Sequence, residues 1–196
     1  MLLPLQGDRE MPDLPQGVAL GYELAGLSGR LFVTPIAQIK VTIYTMPQSL
    51  CKIYLHVVFH IKTTSPEIDE EHLERLHNYI GQLVNSTGCK VIRVGGTSDH
   101  VHIICLLAKD ETVSHLVEEM KRNSSRWIKT LSTRYTTFAW QSGYAAFSVS
   151  QSVIEKTIEY VNNQKLHHQK LSFHDEYIQF LKLYHIEYDE RYVLRD

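Results

Sequence analysis

The stretch Ile53-Tyr54-Leu55-His56-Val57-Val58-Phe59-His60-Ile61-Lys62 alternates. Ile53, Leu55, Val57, Phe59 and Ile61 point one way, and Tyr54, His56, Val58, His60 and Lys62 the other. Side chains on a strand alternate between faces, so this reads as a strand with one strongly apolar side. Working outward, Pro66 and the acidic residues of 67–71 open a helix. Its apolar stripe is Leu73, Leu76, Ile80, Leu83 and Val84, and Gly88 ends it. Residues 90–94 and 100–107 read as two strands joined through Gly95-Gly96, a link short enough for an antiparallel hairpin. A second helix is predicted over 112–131, with Val113, Leu116, Val117, Met120, Trp127, Ile128 and Leu131 on one side and Lys121, Arg122, Arg126 and Lys129 opposite. An irregular aromatic stretch, 138–144, leads to a last strand near 145–150. A third helix starts on Ser152 and Glu155 in capping-box spacing and runs to about His168; a fourth lies near 173–184. The order is βαββαβ followed by helices: an α+β, ferredoxin-like antiparallel sheet with helices on one face. That fold hosts many functions and selects none.

The chain has 196 residues, 43% of them hydrophobic, enough for one ordinary domain. No apolar run approaches 18 residues, so no membrane span is expected. Cys51, Cys89 and Cys105 are widely spaced and suit a reducing, cytoplasmic setting better than a disulfide framework or a zinc knot. A net charge of −2 argues against nonspecific coating of nucleic acid. Yet residues 120–154 contain no Asp or Glu and hold five of the cations, so a local basic patch is available. Residues 1–45 carry four of the six prolines and no sustained period. They read as a disordered extension or a misassigned start, with Met46 opening the functional domain, 46–196.

Two constellations bear chemistry. In Asp99-His100-Val101-His102-Ile103-Ile104-Cys105, the alternation sends Val101, Ile103 and Cys105 to the core and puts His100 and His102 on the opposite face. Two imidazoles about 7 Å apart along a strand can converge on one cation. Among eleven histidines, an H-x-H pair is also readable as two half-exposed side chains beside a turn. In Tyr160-Val161-Asn162-Asn163-Gln164, a continuous helix puts Tyr160 and Gln164 about 40° apart at the rim of the apolar stripe. Taken singly, Tyr160 also reads as an ordinary rim tyrosine. Taken together, the two suggest a tyrosine nucleophile beside a divalent metal that polarises a phosphate. Two imidazoles and one amide oxygen suit Mn²⁺ and, less well, Mg²⁺.

With these residues in view, the chain resembles the HUH single-tyrosine transposases of bacterial insertion sequences and their relatives associated with repetitive extragenic palindromes. The likeness runs from about Leu50 to the C-terminus. It is carried by residues 54–59, by Asp99-His100-Val101-His102, and by Trp140-Gln141, Gly143-Tyr144 and Phe147-Ser148-Val149. Tyr160-Val161-Asn162-Asn163-Gln164, His167-His168 and Phe173-His174-Asp175-Glu176-Tyr177 complete it. The resemblance implies cleavage and rejoining of single-stranded DNA with hairpin ends through a 5′-phosphotyrosine on Tyr160. It implies a divalent metal held by His100, His102 and Gln164, and a homodimer in which the tyrosine helix serves its own subunit or its partner. Lys121, Arg122, Arg126 and Lys129 would then track DNA phosphates. His56 stands behind the ligands at most, and Asp99 either orients an imidazole or serves the turn. His167 and His168 diverge on a helix and read as DNA or solvent contacts. The alternatives are a catalytically inactive, domesticated single-stranded nucleic-acid binder of the same fold and a metal- or small-molecule-sensing domain. Against the binder, the sheet offers histidines where RNA-recognition sheets place stacked aromatics.

Overall fold

The computed structural model describes residues 50–169 and 171–189; the expectations for residues 1–45, with the start at Met46, lie outside them. Four strands, β1 (Tyr54–His60), β2 (Lys90–Gly96), β3 (His100–Leu106) and β4 (Ala145–Val149), form one sheet in the order β2-β3-β1-β4, antiparallel throughout. Helix α1 (Glu70–Ser86) connects β1 to β2 and α2 (Val113–Ile128) connects β3 to β4. This is the βαββαβ order and the ferredoxin-like arrangement that the sequence predicts.

The alternation of β1 settles which residues meet. Leu55, Val57, Phe59 and Ile61 join Val101, Ile103 and Cys105 of β3 in a core closed by Leu73, Leu76, Ile80 and Val84 of α1 and Leu116, Val117, Met120 and Ile128 of α2. Each fully buried aliphatic side chain there contributes about 1.5–3 kcal/mol. Trp127 is partly buried against this core and stacks on Tyr79 at 4.7 Å, as its phase predicts. Helix α1 is stopped at Thr87, after which Gly88 takes φ 81°.

The other face of the sheet is where sequence and structure part. Its histidines suggest an open surface, but Val58, Ile104, Phe147 and Val149 share that face and are buried. Left in water, those side chains would forfeit their burial energy. Three C-terminal helices cover them: α3 (Ile154–Asn162), α4 (Gln164–His167) and α5 (Phe173–Leu183). Val161 of α3 packs with Ile104 and Val149, while Tyr177 and Leu181 of α5 pack with Val58 and Phe147.

Local details also depart from the sequence reading. The helix carrying Tyr160 does not run on to His168: it breaks at Asn163 (φ −97°, ψ 15°), so Tyr160 and Gln164 belong to successive helices. The capping box does not form. Val153 precedes α3 without a side-chain cap, and the Ser152 hydroxyl lies 2.8 Å from that of Ser150. A 3₁₀ turn at Thr133–Thr137, which the sequence reading lacks, brings the Tyr135 hydroxyl to donate to Asp69 at 2.9 Å.

Gly95 fixes how closely α3 approaches the sheet, and Gly96 shapes the β2–β3 turn. At Gly95 a Cβ would stand 2.6 Å from the Val161 carbonyl oxygen, so only a bare backbone lets α3 lie this close to β2. Gly96 has φ 139°, and the turn beyond it closes with the Thr97 N–H donating to the His100 carbonyl at 3.1 Å. Ile92 is the extra residue of a bulge in β2 and packs towards α3 with Ile104.

Candidate active site

Strand β3 delivers His100 and His102 to the C-terminal-helix face, fully buried, with ring centroids 5.0 Å apart and planes at 84°. Each ring is held from behind. The Nδ1 of His100 lies 2.7 Å from the Asp99 carboxylate and 3.0 Å from the Thr97 hydroxyl, which itself donates to Asp99 at 2.6 Å. Burial works against the Asp99 charge. The hydrogen bond and proximity of His100, with the Thr97 hydroxyl, outweigh it and hold the carboxyl well below the usual range. The Nδ1 of His102 lies 2.9 Å from Nε2 of His56, whose pKa burial lowers to about 4. Burial, with His56 and His100 adding, also drives the His102 pKa far down. His102 is therefore a neutral imidazole with a lone pair to offer.

Gln164, at the start of α4, is buried with Oε1 3.3 Å from Nε2 of His100. In the tautomer whose Nδ1–H donates a hydrogen bond to Asp99, the Nε2 lone pair of His100 faces that amide oxygen. Two acceptors then confront each other, an arrangement a cation resolves. The other Gln164 amide atom, Nε2, donates to Glu176 Oε1 at 3.1 Å.

The structure adds two residues for which the sequence reading has no role at the site. His168, expected to contact DNA or solvent, turns its ring onto His100 at 4.5 Å between centroids. Glu176 of α5 is 2% exposed, and its Oε2 lies 3.1 Å from Nε2 of His168 and 3.6 Å from Nε2 of His102. Burial, reinforced by the charge of Asp99, pushes the Glu176 pKa up to about 8. Donor atoms of His100, His102, His168 and Glu176 all fall within 4.8 Å of one another. Nε2 of His102, Nε2 of His168 and Oε2 of Glu176 are buried without a hydrogen-bond partner. Orphaned lone pairs aimed at one spot fit a divalent cation. The only advance signal for Glu176 is its place in the Phe173–Tyr177 segment; nothing in the spacing points it at β3.

Tyr160 stands beside this cluster, half-buried. Its ring meets His102 edge-on at 5.9 Å and lies 6.4 Å from His56, 5.1 Å from His167 and 5.8 Å from Phe180. A cavity of about 120 Å³, lined by Tyr160, His167, Glu176, Gln179, Phe180 and Leu183, joins the tyrosine to the Glu176 side of the cluster.

The basic residues of α2 divide. The Lys121 ammonium donates to the carbonyls of Gln141, Ser142 and Gly143, and burial lowers its pKa to about 8. Arg122 is paired with Glu118 and Glu119. Arg126 and Lys129 carry no such pairing among the described residues. They line a groove of about 560 Å³ with Ser125, Trp140 and Tyr144.

A family model described as IS200-like transposase matches residues 49–164, more than half of the chain. No curated protein matches it. Among solved structures, a transposase candidate from Deinococcus radiodurans R1 is 16% identical with a TM-score of 0.48, over 61% of this chain and 98% of that one. A REP-associated tyrosine transposase bound to a REP hairpin is 12% identical with a TM-score of 0.49, over 64% of this chain and 74% of its own.

Proposed function

The chain belongs to the IS200-like transposase family, and from that premise we propose that it cleaves and rejoins single-stranded DNA through Tyr160. The observation that carries the proposal is the meeting, within one chain, of the Tyr160 ring with His102 and of the Gln164 amide oxygen with His100. His100, His102 and Gln164 would hold the cation, Mn²⁺ or Mg²⁺. Bound there, it would supply positive charge to the oxygens of a scissile phosphate.

The residues of the chain do the rest. The phenolic oxygen of Tyr160 attacks phosphorus; its bond to phosphorus forms as the bond to the 3′ oxygen breaks. The phenolic proton is lost and the departing oxygen takes up a proton. The products are a 5′-phosphotyrosine and a free 3′-hydroxyl, and attack by another 3′-hydroxyl reverses the step and joins a new strand. The phosphotyrosine link conserves the ester for rejoining, which favours strand transfer over hydrolysis. Phe180 and His167, against the Tyr160 ring, restrict its swing. Arg126 and Lys129, in their groove, would follow phosphates of the flanking strand or hairpin, with Lys121 and Arg122 joining once released from their own partners. A homodimer, which the resemblance implies, would serve to hold two DNA ends together.

The test uses a 3′-labelled hairpin single strand with Mn²⁺. A covalent protein–DNA adduct is expected from the unaltered chain and none from Tyr160→Phe, which should still bind the strand. An adduct that persists in Tyr160→Phe overturns the assignment. Binding with no adduct from either protein favours the inactive binder.

A further inference from the structure

We propose that Glu176 is a ligand of the same cation through Oε2, and that through Oε1 it orients the amide of Gln164. The proposal rests on the metal reading above and adds a negatively charged oxygen to it.

Three observations carry it. First, Oε2 has no hydrogen-bond partner, and it lies among the two other orphaned atoms of the site, Nε2 of His102 and Nε2 of His168. Second, the two carboxylate oxygens have separate tasks. Oε1 accepts the Gln164 N–H at 3.1 Å, and that bond decides which end of the amide faces His100. An amide turned the other way would present its NH₂ to the imidazoles and offer a cation nothing. Third, the carboxylate has no permanent counter-charge. Among the described residues its ion-pair neighbours within 4 Å are the imidazoles of His102, His167 and His168. A buried carboxylate is costly unless it is neutralised or paired, and a divalent cation supplies the charge that no Lys or Arg provides.

The placement is firm. Glu176 lies in the first turns of α5, capped by Ser172, whose hydroxyl accepts the Asp175 N–H at 3.2 Å; Tyr177 and Leu181 anchor the helix in a core with Val58 and Phe147. The metal-binding set thus draws on β3, α4 and α5 together, and one carboxylate among imidazoles and an amide suits Mn²⁺ better than Mg²⁺. The rival account is a neutral carboxylic acid that donates to His168 and never meets a metal.

Mn²⁺ titration of the full chain, followed by calorimetry, separates these accounts. Glu176→Gln keeps an acceptor for Gln164 and removes only the charge and basicity of the ligand. It is expected to weaken Mn²⁺ binding about tenfold or more, while His102→Ala abolishes binding. Mn²⁺ binding in Glu176→Gln as tight as in the unaltered chain, with His102→Ala defective, overturns the Glu176 assignment and leaves the metal reading intact. No Mn²⁺ binding by the unaltered chain, or full binding by His102→Ala, overturns both. Should Glu176→Gln fail to fold, anomalous diffraction from Mn²⁺-soaked crystals of the unaltered chain decides. A metal bonded to a Glu176 oxygen supports the proposal, and one bonded to His100 and His102 with Glu176 turned away contradicts it.

Discussion

His100 is gripped on one side by Asp99 and Thr97 and faces Gln164 with the other, so its ring has no freedom to spare. Replacing it by Ala removes a metal donor without touching Arg126 or Lys129. We expect His100→Ala to lose DNA cleavage while single-stranded DNA affinity falls by no more than about fivefold, roughly 1 kcal/mol. Filter binding and cleavage on the same strand check this; equal loss of both in a folded variant would contradict the division between metal site and phosphate track. At this scale the sequence reading reaches far. The shared face of His100 and His102 is legible because strand alternation is local, whereas the nearness of Tyr160 and Gln164 to them rests on the resemblance, since the continuous helix their spacing suggests breaks at Asn163. Glu176 and His168 were not legible, because their relation to β3 is created only when α5 folds back across the sheet. The His56–His102 contact needed the pairing register of β1 with β3, which no local pattern specifies.

Elements set the distance between tyrosine and histidines, and the tightest constraint is α3 against β2. Gly95→Ala would force its methyl against the Val161 carbonyl, and backbone cannot yield as a flexible side chain does. The expected cost is about 1–3 kcal/mol of stability, and the displacement of α3 should lower cleavage further than that loss explains. Urea unfolding and cleavage rates measure the two; unchanged values for both would show that α3 is not seated by this contact. The strands and α1 were readable because their periods are long and clean. The break at Asn163 was hidden because nothing there, neither Pro nor Gly, announces it. The coverage of the second face is hidden too: histidines at alternate positions read as a polar surface, although Val58, Ile104 and Phe147 share that face and require burial.

The whole molecule carries buried histidines that tie its stability to pH. Burial, with Arg93, His100 and Lys165 adding, lowers the His77 pKa from 6.5 to about 4, and His56 behaves alike. Between those values the unfolded chain binds the proton and the folded chain does not, so stability falls as pH drops from about 6.5 towards 4. His77→Gln removes one such group and should flatten this acid limb by up to about 1.4 kcal/mol per pH unit. Chemical denaturation across that window reads it; an unchanged slope would mean that His77 protonates equally well folded and unfolded.

The account as a whole turns on which atom becomes bonded to DNA. Cleavage of a hairpin-ended single strand in Mn²⁺, followed by proteolysis and mass spectrometry of the protein–DNA adduct, locates that bond directly. A nucleotide 5′-phosphate attached to Tyr160 is the predicted result. Attachment to another tyrosine such as Tyr144 or Tyr177, or complete strand cleavage with no protein attached, would contradict it.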